Sequence, residues 1–211
     1  MYITFIHHKG GSGKTTSCIN VAGHLALWGK RVLVLDLDPQ GNATSGLGID
    51  RSMVQNKKKS IKETILETRS GVHIAQPLND FDLNQELEDI WDHYDYILID
   101  PPPGEMPEMP LIDSAIVPLD GLFALESLDL LSKTIQEFEG KIKKRIAVFN
   151  KVKLMGNWSA GVKVEGFEKV FAIPYSNKVY ASQVMGMPLS HLAPNSRASK
   201  AYEKLAHEVL I

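Results

Sequence analysis

The glycine-rich run Lys9–Thr16, with the sequence KGGSGKTT, contains the residues best suited to chemistry. Within this run, Gly10 opens the glycine pattern and Gly13-Lys14-Thr15 closes it. The run lies between a predicted strand and a predicted helix. Glycines permit a tight loop whose backbone N–H groups point inward at phosphate oxygens, and the following helix adds its positive end. Lys14 can place a mobile cation on phosphates, and the Thr15 hydroxyl can bind Mg²⁺. We therefore predict a phosphate-binding loop (P-loop).

Lys9 is the unusual member of this run, because an ordinary P-loop needs only Lys14. A lysine directly before the first glycine could reach the phosphates of a nucleotide held by a facing subunit, as an arginine finger does. The alternative is a solvated surface lysine. Position alone does not separate these two interpretations.

Apolar runs and helical periodicity alternate along the chain. Strands are predicted over Tyr2–His7, Arg31–Asp36, Val72–Ala75, Tyr96–Asp100, Ala115–Pro118, Arg145–Asn150 and Val170–Ile173. Helices are predicted over Lys14–Trp28, Leu83–Trp91, Leu125–Phe138 and Ser196–Leu210, with a capping box at Ser60 and Glu63 and a loop over Asp38–Gly48. This alternation predicts an α/β fold, a mostly parallel twisted sheet with helices on both faces, in a single domain over residues 1–211.

Composition limits the classes of function. The net charge of −2 argues against a constitutively basic nucleic-acid binder, although it leaves room for a local basic patch. The single cysteine, Cys18, excludes an internal disulfide and a cysteine-ligated cluster, and we expect it to be a buried small hydrophobe. We find no signal-peptide pattern and no apolar run long enough to span a bilayer, so we expect a cytoplasmic protein.

Through these motifs the chain resembles the deviant Walker A (ParA/MinD) family of P-loop ATPases, and within it the ParA/Soj partition proteins. The matching segments cover nearly the whole chain. They are Lys9–Thr16, Asp36–Gly46 (DLDPQGNATSG), Tyr94–Asp100 with the prolines that follow, Asn150-Lys151, Ile173-Pro174 and Pro194–Val209.

The resemblance implies an activity, ligands and partners. Members of the family have the SIMIBI-like P-loop NTPase architecture and bind ATP with Mg²⁺. They hydrolyse ATP slowly when a partner stimulates them. They form face-to-face homodimers on ATP, bind DNA without sequence specificity, and respond to a centromere-binding, ParB-like protein. By resemblance we expect a cytoplasmic, nucleoid-associated ATPase that drives DNA partition and does not bind membrane.

The resemblance also implies roles for individual residues. Lys9 would cross to the other subunit's phosphates, and Asp38 would orient the attacking water, with a loop-capping role as its alternative. Asp100 would hold Mg²⁺ through water, as Asp38 also could. The implied catalytic residues are Lys9, Lys14 and Asp38. The implied ATP-binding residues are Lys9, Gly10, Gly11, Ser12, Gly13, Lys14, Thr15, Thr16, Asn150 and Pro174. The implied metal-binding residues are Thr15, Asp100 and Asp38.

Three basic residues near the C-terminus are candidate DNA contacts. Lys178 and Arg197 match basic positions that help bind DNA in the family, whereas Lys200 lies nearby without support from the match. Phosphate contacts need only mobile cations on one face, and they make binding salt-sensitive. The alternative is a solvated charged surface.

Other functions remain open at this point. A MinD-like membrane-associated positioning ATPase needs a basic amphipathic C-terminal segment, but Lys204–Ile211 is typical of a packing helix. A nitrogenase-reductase-like protein needs cluster cysteines, which this chain lacks. An ATP-gated binding module with negligible hydrolysis is a further alternative.

The chain departs from the family in two ways. The regions 101–114 and 152–169 are shorter than in typical members. His7 and His8 stand where the family more often has amides, and we predict no role for these two histidines.

Overall fold

The computed structural model describes residues 1–54, 60–77, 82–104, 112–120, 140–153 and 163–210. Within these ranges the strands form one sheet in the order β3-β4-β2-β5-β1-β6-β7-β8. Neighbouring strands pair in parallel, except that β3 pairs antiparallel with β4 at one edge. The strands are β1 Tyr2–Phe5, β2 Val32–Asp36, β3 Leu66–Glu67, β4 His73–Ala75, β5 Tyr96–Asp100, β6 Ser114–Asp120, β7 Arg145–Val152 and β8 Lys169–Pro174.

Helices cover both faces of this sheet. They are α1 Lys14–Leu27, α2 Asn42–Gly46, α3 Ile61–Thr64, α4 Leu83–Glu88, α5 Asn177–Val184, α6 Leu189–Leu192 and α7 Arg197–Glu208, with 3-10 turns at Arg51–Val54 and Trp91–His93. Buried residues of α1, α2, α6 and α7 form one apolar cluster with the sheet, and those of α3 and α4 belong to a second cluster. The predicted fold class is confirmed.

The sequence of β2 explains why both faces are covered. Val32 and Val34 belong to the first cluster, whereas Leu33 and Leu35 belong to the second. Successive side chains of a strand point to opposite faces, so a continuous apolar run buries both. The same alternation occurs in β5, where Leu98 faces the first cluster. This burial holds the carboxyl ends of β1, β2 and β5 side by side.

The boundaries of α1 follow from its flanking glycines. The helix begins directly after Gly13 and ends at Leu27, and Gly29 follows in the left-handed region at φ 75°. The N–H of Gly29 donates to the carbonyl of Ala26 at 2.9 Å, and the N–H of Lys30 donates to that of Leu25 at 3.1 Å. These bonds satisfy free carbonyls at the helix end. Cys18 is fully buried inside this helix, as expected.

Some predicted elements differ from the structure. The capping box at Ser60 is confirmed, since the Glu63 N–H donates to its hydroxyl and its own N–H donates to the Glu63 carboxylate. The predicted loop over Asp38–Gly48 contains α2. Contacts with residues elsewhere in the chain stabilise this helix despite its polar sequence. The predicted strand Tyr2–His7 ends earlier, at Phe5. The predicted helix Leu83–Trp91 ends at Glu88 and is followed by a 3-10 turn.

Two helices had no counterpart in the sequence prediction. α5 exposes most of its apolar side chains, including Tyr180 and Val184, so it lacks the buried stripe that makes a helix visible in a sequence. α6 is only one turn long. The predicted helix Leu125–Phe138 lies outside the described residues, as do parts of the two shortened regions, 105–111 and 154–162. Among the described helices, none combines the length and the apolar character needed to cross a bilayer.

Candidate functional site

The run Lys9–Thr16 forms the loop between β1 and α1. Gly11 and Gly13 adopt positive φ angles of 77° and 102°, which L side chains rarely adopt. A Cβ atom on Gly13 would also collide with the side-chain amide of Asn150 in β7. Glycine is therefore required at this position for two independent reasons, backbone conformation and close approach.

Lys14 lies inside the loop and is almost fully buried. Its ammonium donates to the backbone carbonyl of His7 at 3.4 Å. Burial lowers the pKa of Lys14, while Asp100 and Asp38 oppose this change because their charges favour the ammonium form. The cation is thus held between the P-loop and the strand-end carboxylates.

His7 has a structural role that sequence reasoning missed. Its ring Nδ1 accepts the backbone N–H of Lys9 at 2.9 Å, so the ring proton lies on Nε2 when the imidazole is neutral. Burial lowers the pKa of His7, and the neighbouring Lys14 ammonium lowers it further. His7 is therefore a neutral acceptor that orients the entrance to the loop.

The side chain of Lys9 takes no part in these contacts. It is exposed and forms no hydrogen bond or ion pair within the described part of the chain. The residues of the loop that line its own cavity are Gly10 to Thr16, without Lys9. The ammonium is thus free to contact a group outside its own nucleotide cradle.

A cavity of about 600 Å³ opens above the P-loop. Asp38 and Pro103 line it together with residues of α2 and α5. An adjoining cavity of about 230 Å³ shares Gly13, Thr16 and Gln183 with the first. This second cavity contains both Asn150 and Pro174, which the structure therefore brings together beside the P-loop. Two joined cavities of this kind can hold the phosphates and the base of one nucleotide.

Asn150 connects the second cavity to the P-loop. Its Nδ2 donates to the carbonyl of Ser12 at 2.9 Å, while its buried Oδ1 has no partner within the described residues. One amide N–H of Asn150 is therefore used by the loop, and the acceptor capacity of its oxygen is left unused by the described residues. Tyr175 and Tyr180 line the same cavity, and neither was predicted as a site residue.

Two carboxylates meet at the carboxyl ends of β2 and β5, where Asp36 and Asp100 pair in register. Burial raises the pKa of Asp100 to about 7, although the Thr15 hydroxyl lowers it. Burial also raises the pKa of Asp36 to about 6, although hydrogen bonds from Thr44 lower it. Both shifts mean that a proton or a cation is favoured at this point of the structure.

Asp100 is fully buried, and neither of its oxygens accepts a hydrogen bond of good geometry from the described residues. An unpaired buried carboxylate is costly unless a cation or ordered water reaches it. In the described part of the chain, no three His, Cys, Asp or Glu side chains converge to hold a metal on their own. Mg²⁺ at this point would therefore depend on the Thr15 hydroxyl and on nucleotide phosphates.

Asp38 both caps its loop and lines the cavity. Its Oδ1 accepts the N–H of Gln40 at 2.9 Å, the capping role given as its alternative. Its carbonyl accepts the side-chain amide of Gln76 at 3.1 Å. These contacts fix the carboxylate at the wall of the larger cavity rather than in solvent.

Further residues that sequence reasoning missed hold the site together. The Oδ2 of Asp36 accepts the N–H and the hydroxyl of Thr44 at 2.8 and 2.7 Å, which anchors α2 to the sheet. The Nε2 of Gln183 donates to the Thr16 hydroxyl at 2.8 Å, which anchors α5 to the P-loop. The strand-end position of Asp36 was a usable signal, whereas nothing in the sequence marks Gln183.

Two of the three candidate DNA contacts line one groove. Arg197 and Lys200 line a groove of about 380 Å³ between α7 and β8, together with Lys204. Lys200 is partly neutralised by Glu203 at 2.8 Å. Lys178 lies on α5 and does not line this groove.

Comparison with known proteins agrees with this geometry. A sequence model described as an AAA domain matches residues 1–78 and 72–148. The chromosome-partitioning ATPase Soj of Thermus thermophilus is 31% identical over 99% of this chain and 94% of its own length. The chromosome partitioning protein ParA of Caulobacter vibrioides is 31% identical over 99% of this chain and 93% of its own.

Solved structures share the fold. MinD of Pyrococcus horikoshii, in complex with Mg-ADP, superposes with a TM-score of 0.77 at 23% identity, covering 99% of this chain and 95% of its own. A ParA family ATPase of Chlorobium tepidum gives a TM-score of 0.72 at 21% identity, covering 98% and 97%. From its P-loop, its sheet and its full-length sequence relatives, the chain belongs to the ParA/MinD family of deviant Walker A ATPases, on its ParA/Soj branch.

Proposed function

We propose that this ATPase is a molecular switch for DNA partition, formed by one domain over residues 1–211. It dimerises on ATP, binds DNA without sequence specificity and hydrolyses ATP slowly under the control of a partner. The observation that carries the proposal is the pair of P-loop lysines. Lys14 is buried in its own cradle, whereas Lys9 is exposed and its side chain forms no hydrogen bond or ion pair among the described residues.

The P-loop and the two joined cavities support the assignment of the nucleotide. Backbone N–H groups over Gly10–Thr16 surround the phosphates, and Lys14 places its ammonium on them. Asn150 offers its free Oδ1 to the adenine, and Pro174 packs against the ring in the smaller cavity. The fold relative from Pyrococcus horikoshii was solved with Mg-ADP, which agrees with this choice of ligand.

Thr15 and Asp100 fit a magnesium ion bound together with the nucleotide. The buried, unpaired carboxylate of Asp100 is suited to holding a water ligand of the ion, with Asp38 as a further water-mediated contact. When bound, Mg²⁺ neutralises charge on the phosphate oxygens. The chain itself supplies the Thr15 hydroxyl and the anionic pocket at Asp100. The burial of this pocket excludes bulk water.

Asp38 is the residue proposed to orient the attacking water. Its hydrogen bond to the Gln40 N–H fixes one oxygen, and the side chain lies at the wall of the phosphate cavity. A fixed carboxylate close to the γ-phosphate lowers the entropic cost of positioning water. The loop-capping role and the catalytic role therefore depend on the same contact.

An ATP-dependent dimer is supported by the rim of the nucleotide cavity. Val184 lines the cavity, and Tyr180, Val184 and Met185 are between 65% and 73% exposed on or just after α5. Exposed apolar side chains beside an open cavity favour a contact with another protein surface. If two copies face each other there, the unpaired Lys9 of each can reach the other's phosphates.

DNA and a ParB-like protein are the proposed partners, in a cytoplasmic protein associated with the nucleoid and not with membrane. The named roles of the relatives are chromosome partitioning. Arg197 and Lys200 offer cations on one groove, which suits sequence-independent phosphate contacts, and Lys178 is a separate contact.

The MinD-like alternative is weaker on the described residues. The apolar side chains of α7, including Tyr202 and Leu205, are buried in the core, so this helix has no apolar face to offer to a bilayer. The other alternative is an ATP-gated binding module with negligible hydrolysis. Measuring ATP turnover with and without DNA distinguishes this module from the proposed switch.

Lys9→Ala is expected to retain nucleotide binding and to weaken ATP-dependent dimerisation at least about tenfold, because the variant has no cation to cross between subunits. The measurement is the mass in solution with ATP and with ADP, alongside the affinity for a fluorescent nucleotide. Lys14→Ala is the control, and it should lose nucleotide binding itself. A Lys9→Ala dimer as stable as that of the wild type would exclude the crossing role.

Asp38→Ala is expected to lower ATP turnover about 100-fold or more while the ATP-bound dimer persists. Turnover is measured as phosphate release under conditions that saturate the protein with ATP. Asp50→Ala is the matched control, because Asp50 caps the N–H of Ser52 at 2.8 Å away from the lining of the cavity. Normal turnover in Asp38→Ala would remove this residue from the mechanism.

Asp100→Asn is expected to change how stability depends on pH. The pKa of Asp100 rises from its ordinary value of 3.8 to about 7 on folding, so the folded chain holds a proton that the unfolded chain loses. As pH rises from about 5 to 7, the free energy of unfolding of the wild type should fall by a few kcal/mol relative to that of Asp100→Asn. Urea unfolding without nucleotide measures this difference.

Asp113→Asn is the control for that pH dependence. Burial raises the pKa of Asp113, but Lys143 and the Tyr2 N–H outweigh burial and leave it lowered. Its ionisation is therefore complete near pH 5, and its stability difference from the wild type should stay constant above that pH. A flat difference for Asp100→Asn as well would contradict the buried, protonated state.

The same variant tests the proposed magnesium contact. With ADP, Mg²⁺ should raise the melting temperature of the wild type more than that of Asp100→Asn.

Arg197→Glu is expected to weaken DNA binding at least about tenfold without changing the affinity for ATP. The slope of log affinity against log salt concentration should fall in magnitude by about 1 for each phosphate that the variant no longer binds. Fluorescence anisotropy with a short duplex in ATP measures both quantities. Lys163→Glu, the same charge change at another exposed position, should bind DNA like the wild type. Equally weakened binding in the two variants would show general charge repulsion instead of a contact at Arg197.

A further inference from the structure

A separate cleft of about 560 Å³ lies at the opposite end of the sheet from the nucleotide cavity. Lys30 and Arg31 directly precede β2, and His73 begins β4, so these residues lie at the amino ends of parallel strands. The P-loop and the strand-end carboxylates lie at the carboxyl ends. At about 3.3 Å per residue, a five-residue strand such as β2 separates the two sites by about 17 Å. We call this second feature the amino-end cleft.

The lining of the amino-end cleft is basic. Three of its lining residues are aliphatic, and no Asp or Glu occurs among the described residues that line it. A cavity in which almost every polar side chain is a cation or a hydrogen-bond donor favours an anion. The lining residues are Lys30, Arg31, Val32, Lys62, Ile65, Gly71, His73, Ile90, His93 and Tyr94.

The charges in the cleft are not all available. The guanidinium of Arg31 donates to the Asp95 carboxylate at 2.8 Å and to the Asp92 carbonyl at 3.4 Å. Lys30 and Lys62 form no ion pair with any described carboxylate. The cleft therefore has two ammonium groups outside ion pairs, although Lys30 is near enough to Asp95 for their charges to interact. Together the two ammonium groups match the charge of roughly −1.5 to −2 on a phosphate monoester at neutral pH.

His73 and Tyr94 add a hydrogen-bond donor whichever way their shared proton lies. The His73 Nδ1 and the Tyr94 hydroxyl are 2.8 Å apart. If the phenol donates to Nδ1, the imidazole keeps its Nε2–H; if Nδ1–H donates, the phenolic O–H stays available. Burial raises the pKa of Tyr94, so the phenol keeps its proton at neutral pH. In either arrangement the pair can donate to an oxyanion.

We infer that the amino-end cleft is a binding site for a phosphate group. Lys30 and Lys62 neutralise its charge, and His93 with the His73–Tyr94 pair donates hydrogen bonds to its oxygens. The phosphate belongs either to a small phosphorylated molecule or to the backbone of a nucleic acid, since both present anionic, non-bridging phosphate oxygens. This site is distinct from the nucleotide cavity and from the groove at Arg197, and it does not depend on the proposed partition function.

The test is a titration of the full chain with inorganic phosphate, with the nucleotide cavity filled by saturating Mg-ADP. Imidazole NMR signals of His73 and His93, assigned with His73→Gln and His93→Gln, report on the cleft alone. We expect saturable shifts with phosphate and none with chloride at equal ionic strength. Because the reporters are local, the result stands whether or not the chain dimerises or binds DNA.

Two variants and a control sharpen this titration. Lys30→Ala/Lys62→Ala should weaken phosphate binding at least about tenfold, because the variant cannot form the charge-assisted hydrogen bonds. Lys62→Ala alone, at an exposed position, should weaken it less and keeps the test valid if the double variant does not fold. Lys141→Ala is the matched control, an exposed lysine at the same end of the sheet near β7, and it should bind phosphate like the wild type.

Addition of a short DNA duplex separates the two sources of phosphate. Duplex that shifts the His73 and His93 signals and competes with phosphate identifies a nucleic-acid backbone as the ligand. Phosphate binding that the duplex does not disturb identifies a small phosphorylated molecule. Histidine signals that do not respond to phosphate, or equal affinity in the wild type and in Lys30→Ala/Lys62→Ala, would overturn the inference.

Discussion

The contact on which the nucleotide site depends is the close approach of the P-loop to β7. The Asn150 amide donates to the Ser12 carbonyl, and the absence of a Cβ on Gly13 is what lets the loop approach the Asn150 side chain. Any larger residue at position 13 would collide with this side chain and displace it or the loop. The loop is therefore held by the sheet as well as by α1, which limits the conformational freedom that ligand binding would otherwise have to remove.

Charge burial is the second organising constraint. Lys14, Asp36 and Asp100 are placed in the interior although each would be more stable as an ion in water, and their pKa shifts record that cost. In the ligand-free chain this is local destabilisation. On the proposed function, a magnesium-bound triphosphate would supply a cation and an anion together, so its binding would relieve a cost that folding has already imposed. The helices α2 and α5 attach to the same region through Thr44 and Gln183, so hydrogen bonds connect the P-loop to the helix that carries the exposed Tyr180 and Val184.

The two sites at opposite ends of the sheet differ in the charge of their side chains. The carboxyl ends of β2 and β5 place buried carboxylates near Lys14, whereas Lys30, Lys62 and two histidines line the cleft at the amino ends of β2 and β4. Parallel strands keep the two sites apart, because they deliver their following loops to the same end of the sheet. Buried strands connect the two sites.

The sequence by itself predicted the P-loop, the positions of most main strands along the chain and the burial of Cys18, because each depends on local pattern or short-range spacing. Its motifs also indicated the family, and the resemblance to that family indicated Asp100 and Asp38. Only the tertiary structure decided that the Asn150 amide would bind Ser12, that Gln183 would bind Thr16, and that α5 would be a helix with an exposed apolar face. It also placed Arg197 and Lys200 in one groove and assembled the amino-end cleft from four distant segments. The physical reason is that these contacts join residues far apart in the chain, and no local propensity encodes which distant side chains the folded sheet will bring together.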